Sequence, residues 1–152
     1  MISSIYTSYE DHLPGQIKDS VKHTIEKGLA AHGTINVFFR ADDIGVPSKN
    51  FEHMMALFLA CHMPLCLAVV PAWLTRARWA AMAGFRQKGS SLFCWHMHGF
   101  RHCNHEPSGK KQEFGPARSS KELYNDLSKG QARLLSIMGK HLTQVFTPPW
   151  NR

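Results

Sequence analysis

Four short apolar runs, each followed at once by a polar or proline-rich cluster, constrain this chain more than any other feature. The runs are residues 35–39, 65–70, 91–96 and 144–147. Each is rich in β-branched, aromatic or aliphatic side chains and too short for a helix, so each is expected to be a strand. Amphipathic stretches separate them. Ile17, Val21, Ile25 and Leu29 recur at helical spacing and predict a helix over residues 15–31, which Gly33 ends. Pro47 and Ser48 open a second helix with the apolar face Phe51, Met54, Met55, Phe58 and Leu59. A third helix is expected over residues 74–87. Ser119 and Ser120 cap a fourth, with Glu122 in its first turn and Gly130 weakening its middle. Residues 106–118, rich in Gly, Pro and charge, form a long loop before it. Strand and helix in alternation predict an α/β fold of about four βα units on a parallel sheet, within one domain.

Composition narrows the function classes. Eighteen Lys and Arg against eleven Asp and Glu give a net charge of +7, a surface that attracts anions. The basic residues are scattered; Lys110 and Lys111 are the densest pair, too short for a nucleic-acid tract, so nucleic acid is not the expected partner. Cys61, Cys66, Cys94 and Cys103 form no C-x-x-C pair and suggest no disulfide framework. Cys66 and Cys94 lie in apolar runs and read as buried core thiols. No stretch approaches the roughly 18 apolar residues of a membrane span. Residues 1–10 are polar and lack the apolar core of a signal peptide, so a cytoplasmic location is expected.

The polar clusters recur in one place. Asp42 and Asp43, His98 and His102, and the segment from Thr147 to Asn151 each come at or just after an expected strand end. In parallel α/β folds those ends share one face, where ligands bind. His98 and His102 are four residues apart around Gly99, a spacing that lets both imidazoles face one way. Adjacent carboxylates after an apolar strand are costly unless paired or bound to a cation. Two His and one Asp make the open three-ligand set of a hydrolytic metal site. Two surface histidines and a solvated acidic turn are the plain alternatives for each cluster taken alone.

Arg40-Ala41-Asp42-Asp43, His98-Gly99-Phe100-Arg101-His102 and Phe146-Thr147-Pro148-Pro149-Trp150-Asn151 together resemble the first three motifs of polysaccharide deacetylases (the NodB-like carbohydrate esterases). The resemblance runs over residues 37–152. It implies the N-terminal part of a distorted (β/α) barrel. Asp42 is then the catalytic base, and Asp43, His98 and His102 are the ligands of one divalent metal. Zinc suits that set; cobalt, nickel and iron fit similar geometry. The implied reaction is hydrolysis of an N-acetyl group on a saccharide, with Trp150, Pro149 and Asn151 along the substrate groove.

Departures from the family pattern qualify this. Arg40-Ala41 stands where Thr-Phe is usual, and Thr147 stands where the family places an Arg that orients the base. Arg40, Arg101 or Arg152 can substitute. The family's later motifs are absent, so the chain is expected to be a truncated domain. Its open barrel edge would be covered by a second copy. The rival function is a carbohydrate- or metal-binding remnant without turnover. His96 and His105 read as core or loop histidines, and Trp73 and Trp79 as packing between helix and sheet. Cys103 reads as a bystander thiol. Glu113 is open between a residue folded over the site and a solvated loop charge. No G-x-G-x-x-G, P-loop or G-x-S-x-G motif is present.

Overall fold

The computed structural model describes residues 13–89 and 91–152. The first ten residues, expected to lack a leader, lie outside them. The chain divides after Val37 into two units. The first contains helix α1, Leu13–His32, close to the expected span and followed by Gly33. Among the described residues no helix is long and apolar enough to cross a membrane.

The second unit alternates strands and helices. In chain order these are β1 Arg40–Ile44, α2 Lys49–Ala60, β2 Leu65–Val69, α3 Arg76–Ala81, α4 Ala83–Lys88, β3 Phe93–His98, α5 Ser120–Met138 and β4 Leu142–Thr147. Tight 3-10 turns at Gly139–His141 and Pro149–Asn151 flank β4. All three strand pairings are parallel, in the order β1-β2-β3-β4. The expected α/β fold on a four-stranded parallel sheet is present. Sequential order places every C-terminal strand end along one rim, without the order reversal of doubly wound sheets.

Local chemistry sets the helix starts. The Ser48 hydroxyl accepts the Phe51 amide at 3.2 Å, and the Thr75 hydroxyl accepts that of Arg78 at 3.2 Å. Ser119 and Glu122 close a reciprocal capping box at the start of α5. Gly130, in the middle of α5, sits where the helix meets β3. A Cβ there would lie 2.5 Å from Met97 Cε and 3.2 Å from Pro71 Cγ, so the residue permits a close approach that outweighs its poor helix propensity.

Side chains alternate along β2 and β3. Leu65, Leu67, Val69, Phe93, Trp95 and Met97 join Phe51, Met55, Trp79, Met82, Leu134 and Met138 in one buried cluster. Cys66, Ala68, Cys94, His96 and His98 take the opposite face.

Four expected boundaries move; one is the start of β4, at Leu142 rather than Gln144. Residues 35–39 form no strand, and Phe38 is exposed. The ladder with β2 begins where the Phe39 carbonyl accepts the Cys66 amide, and it continues through the acidic pair. The register slips between Ala41 and Ile44, so Asp42 and Asp43 occupy a bulge. A bulge tolerates what a regular central strand would not, because its extra residue leaves the ladder. β3 begins at Phe93, two residues later than the expected start, which makes His98 its last residue. The single helix expected over residues 74–87 is two helices. They meet at Met82, whose amide bonds to the Trp79 carbonyl three residues back at 3.2 Å. This tighter turn brings both Trp79 and Met82 into the core.

Candidate metal site

Asp43, His98 and His102 converge. Asp43 Oδ1 lies 3.3 Å from His98 Nε2 and 3.0 Å from His102 Nε2, and one ligand atom from each residue falls within 4.8 Å of the others. His98 comes from the end of β3, Asp43 from the bulge of β1, and His102 from the loop after β3.

The donors fit a cation. His98 is 1% exposed, and its Nδ1 lies 2.9 Å from the Thr147 carbonyl oxygen. A carbonyl can only accept, so Nδ1 carries the hydrogen. That leaves Nε2 facing an oxygen of Asp43 at 3.3 Å. A proton on Nε2 or a cation between the two atoms would each satisfy that contact. A ring nitrogen fixed through its partner to a backbone carbonyl is also the usual support of a metal-bound imidazole. The expected ligand set thus stands in one place in the fold; the metal's identity is not shown.

Backbone strain gathers here. The described non-glycine residues with positive φ are Asp43 (62°), His62 (51°), His102 (59°), Trp150 (54°) and Asn151 (57°). All but His62 belong to this rim. Asp, Asn and His enter the left-handed region more readily than other residues, but a tryptophan does so at a cost and persists only where its surroundings hold it. The strain turns side chains from three chain segments toward a common point.

Of Arg40, Arg101 and Arg152, it is Arg40 that contacts Asp42. Its Nε donates to Asp42 Oδ1 at 2.7 Å and its Nη2 to Oδ2 at 3.0 Å, a bidentate grip that fixes the carboxylate plane. Nη2 also donates to Asn151 Oδ1 at 2.6 Å. Asn151 is thereby tied to the acidic pair. Pro149 is buried and packs beside Gly99, so of the three residues expected along a groove only Trp150 and Asn151 have surface to offer.

Two aromatic rings flank His102. Trp150 lies 4.4 Å from it and Trp73 lies 5.6 Å from it, centroid to centroid. Trp79 packs between helix and sheet as expected, 5.0 Å edge-on to Trp95. Trp73 instead stands at the site. Sequence reasoning missed it because a tryptophan after a strand looks like any packing residue. The signal available was its position, directly after the Val70-Pro71 strand end.

Glu113 is fully buried beneath the loop, so it is not a solvated charge. His96 is buried too, with Nε2 3.0 Å from the Thr147 hydroxyl and Nδ1 without a partner among the described residues. Burial, helped by Arg40, holds its pKa below the ordinary value. His105 is exposed. Cys66 and Cys94 are half-buried rather than core thiols and sit opposite each other on β2 and β3. Burial and the neighbouring Cys94 push the Cys66 thiol up to about 11, so it is a poor nucleophile. Comparison with protein-family models, with curated proteins and with solved structures finds no match.

Proposed function

We propose that the chain is a metal-dependent hydrolase of the polysaccharide-deacetylase type, removing N-acetyl groups from a saccharide. The observation that carries this reading is the convergence of Asp43, His98 and His102 beside a second carboxylate, Asp42, gripped by Arg40. A lone metal triad would serve storage or structure as well as catalysis. A triad with an oriented, partly exposed carboxylate next to it has the parts of a hydrolytic site.

Asp43, His98 and His102 would hold a divalent cation, which would supply Lewis acidity to the reaction. The rest falls to the chain. Asp42 takes the proton from the water as its oxygen bonds to the acyl carbon, and returns it to the amine nitrogen as the C–N bond breaks, releasing acetate and the free amine. The Asp42 oxygens each accept a hydrogen bond from Arg40 and each keep a further lone pair for that proton. Arg40 holds the carboxylate in one orientation, so the proton acceptor is in place before substrate binds. Trp150 and Trp73 offer apolar rings beside His102, the kind of surface a pyranose ring stacks on. The sequential parallel sheet accords with part of a (β/α) barrel. On this reading β1 and β4 are where further strands, or a second copy, would pair. Val145 and Phe146 of β4 are exposed accordingly.

The test is deacetylation of chitooligosaccharides by zinc-loaded wild type, Asp42→Asn and His98→Ala, with metal content measured for each. Asp42→Asn should keep its zinc and lose about 10²–10⁴-fold in turnover. His98→Ala should lose both. Equal turnover in all three proteins would sink the reading.

A further inference from the structure

We infer that Glu113 is the positioning residue of the metal site: its buried carboxylate folds the turn from Gly99 to His102 and so sets the two imidazoles for a cation. The inference rests on the metal-site reading above and extends it to a residue that touches neither metal nor substrate.

Glu113 is 0% exposed, and among the described residues no Lys, Arg or His forms an ion pair with it. An isolated buried carboxylate is expensive and survives only if its oxygens are satisfied. Here three successive backbone amides do so. Phe100 N lies 3.2 Å from both oxygens, Arg101 N donates to Oε1 at 2.6 Å, and His102 N donates to Oε2 at 3.2 Å. Consecutive N–H groups aimed at one point form an anion-binding nest, built from an αR-αL or turn conformation of the backbone. Gly99 at φ 63° and His102 at φ 59° bracket the turn. Gly99 is also the one residue type that fits: a Cβ there would lie 2.1 Å from Glu113 Oε2 and 2.5 Å from Pro149 Cγ.

The consequence reaches the metal ligands directly. His98 enters the turn and His102 leaves it. The left-handed backbone of His102, which a free loop would relax, is held by its amide's bond to Glu113. A neutral side chain offers fewer acceptors for three amides; a carboxylate offers two oxygens and about four lone-pair sites. Glutamine would keep the shape but place an NH₂ group against amide donors.

Zinc affinity by chelator competition, the visible spectrum of the cobalt-loaded protein and the melting temperature of the metal-free protein should be measured for wild type and Glu113→Gln. Folded Glu113→Gln should bind zinc about 10- to 100-fold more weakly, as for other residues that orient metal ligands, with an altered cobalt spectrum. A purely structural role would lower the melting temperature and leave zinc affinity and the cobalt spectrum unchanged, and that result overturns the inference. Amide hydrogen exchange on metal-free wild type decides the matter even if the variant does not fold. Phe100, Arg101 and His102 should be protected before metal is added, and free exchange at all three would overturn it. Wild type that takes up no zinc would bring down the metal-site reading and this inference together. Wild type that binds zinc, beside an unimpaired Glu113→Gln, would bring down this inference alone.

Discussion

The two faces of the sheet solve opposite problems. One carries Leu65, Leu67, Val69, Phe93, Trp95 and Met97 into a cluster closed by α2, α3 and α5. Its residues sit in regular strands and helices, and each large side chain buried there contributes on the order of 1.5–3 kcal/mol. The other carries Cys66, Cys94, His96 and His98, and the last three are tied to β4 by single hydrogen bonds: Cys94 to the Thr143 hydroxyl, His96 to the Thr147 hydroxyl and His98 to the Thr147 carbonyl. At its rim the backbone is strained and the Glu113 carboxylate is buried without a cationic partner among the described residues. The contrast teaches that stability and chemistry are divided by the two-residue period of the strands. Adjacent residues in β3, Met97 and His98, belong to different tasks.

That division can be broken by substitution. His98→Ala should abolish stoichiometric zinc binding while leaving the metal-free fold intact, as judged by circular dichroism. Collapse of the fold would mean that the polar face is also part of the core. Leu67→Ala should cost about 2–5 kcal/mol in denaturant unfolding, since Leu67 is fully buried, yet zinc affinity should hold. A parallel loss of zinc would show that the faces are coupled. Gly130→Ala should cost about 1–3 kcal/mol through the clash with Met97 and Pro71, against the gain in helix propensity. Stabilisation instead would mean that α5 can move off the sheet.

The smallest effect belongs to the surface of α5. Hydrogen bonds from the Ser119 hydroxyl and amide hold the Glu122 carboxyl below its ordinary value of 4.5. As pH falls the unfolded chain protonates first, so the cap's contribution is present above that value and is lost as pH falls through the folded value. Glu122→Gln should therefore melt slightly lower than wild type at pH 7, and the gap should close in acid. A gap unchanged with pH would show that the cap works without its charge.

Several features were legible from residue order because their causes are local. Ser48 and the Ser119–Glu122 pair cap helices within one turn. Leu65 to Val69 is a strand because a five-residue apolar run has few other ways to be buried. Asp43, His98 and His102 were legible as a set because strand ends in a parallel sheet must share a rim. The start of β1 was not legible: residues 35–39 look more like a strand than Arg-Ala-Asp-Asp-Ile does, and only pairing with β2 chooses between them. Glu113 had equal claims as a loop charge and as a buried group, since a lone glutamate carries no mark of what lies above it. Trp73 and Trp79 are alike in sequence, six residues apart, and one stands at the rim while the other is in the core.

What the sequence determined by itself was the alternation of βα units and the identity of the groups available for chemistry, because periodicity and side-chain type act over a few residues. What tertiary structure decided was which nitrogen of His98 is free, which arginine grips Asp42 and which carboxylate folds the turn. Those depend on partners tens of residues or more away in the chain for His98, on a bulge for Asp42, and on a loop that doubles back for Glu113. Such contacts form only once the strands have set their register.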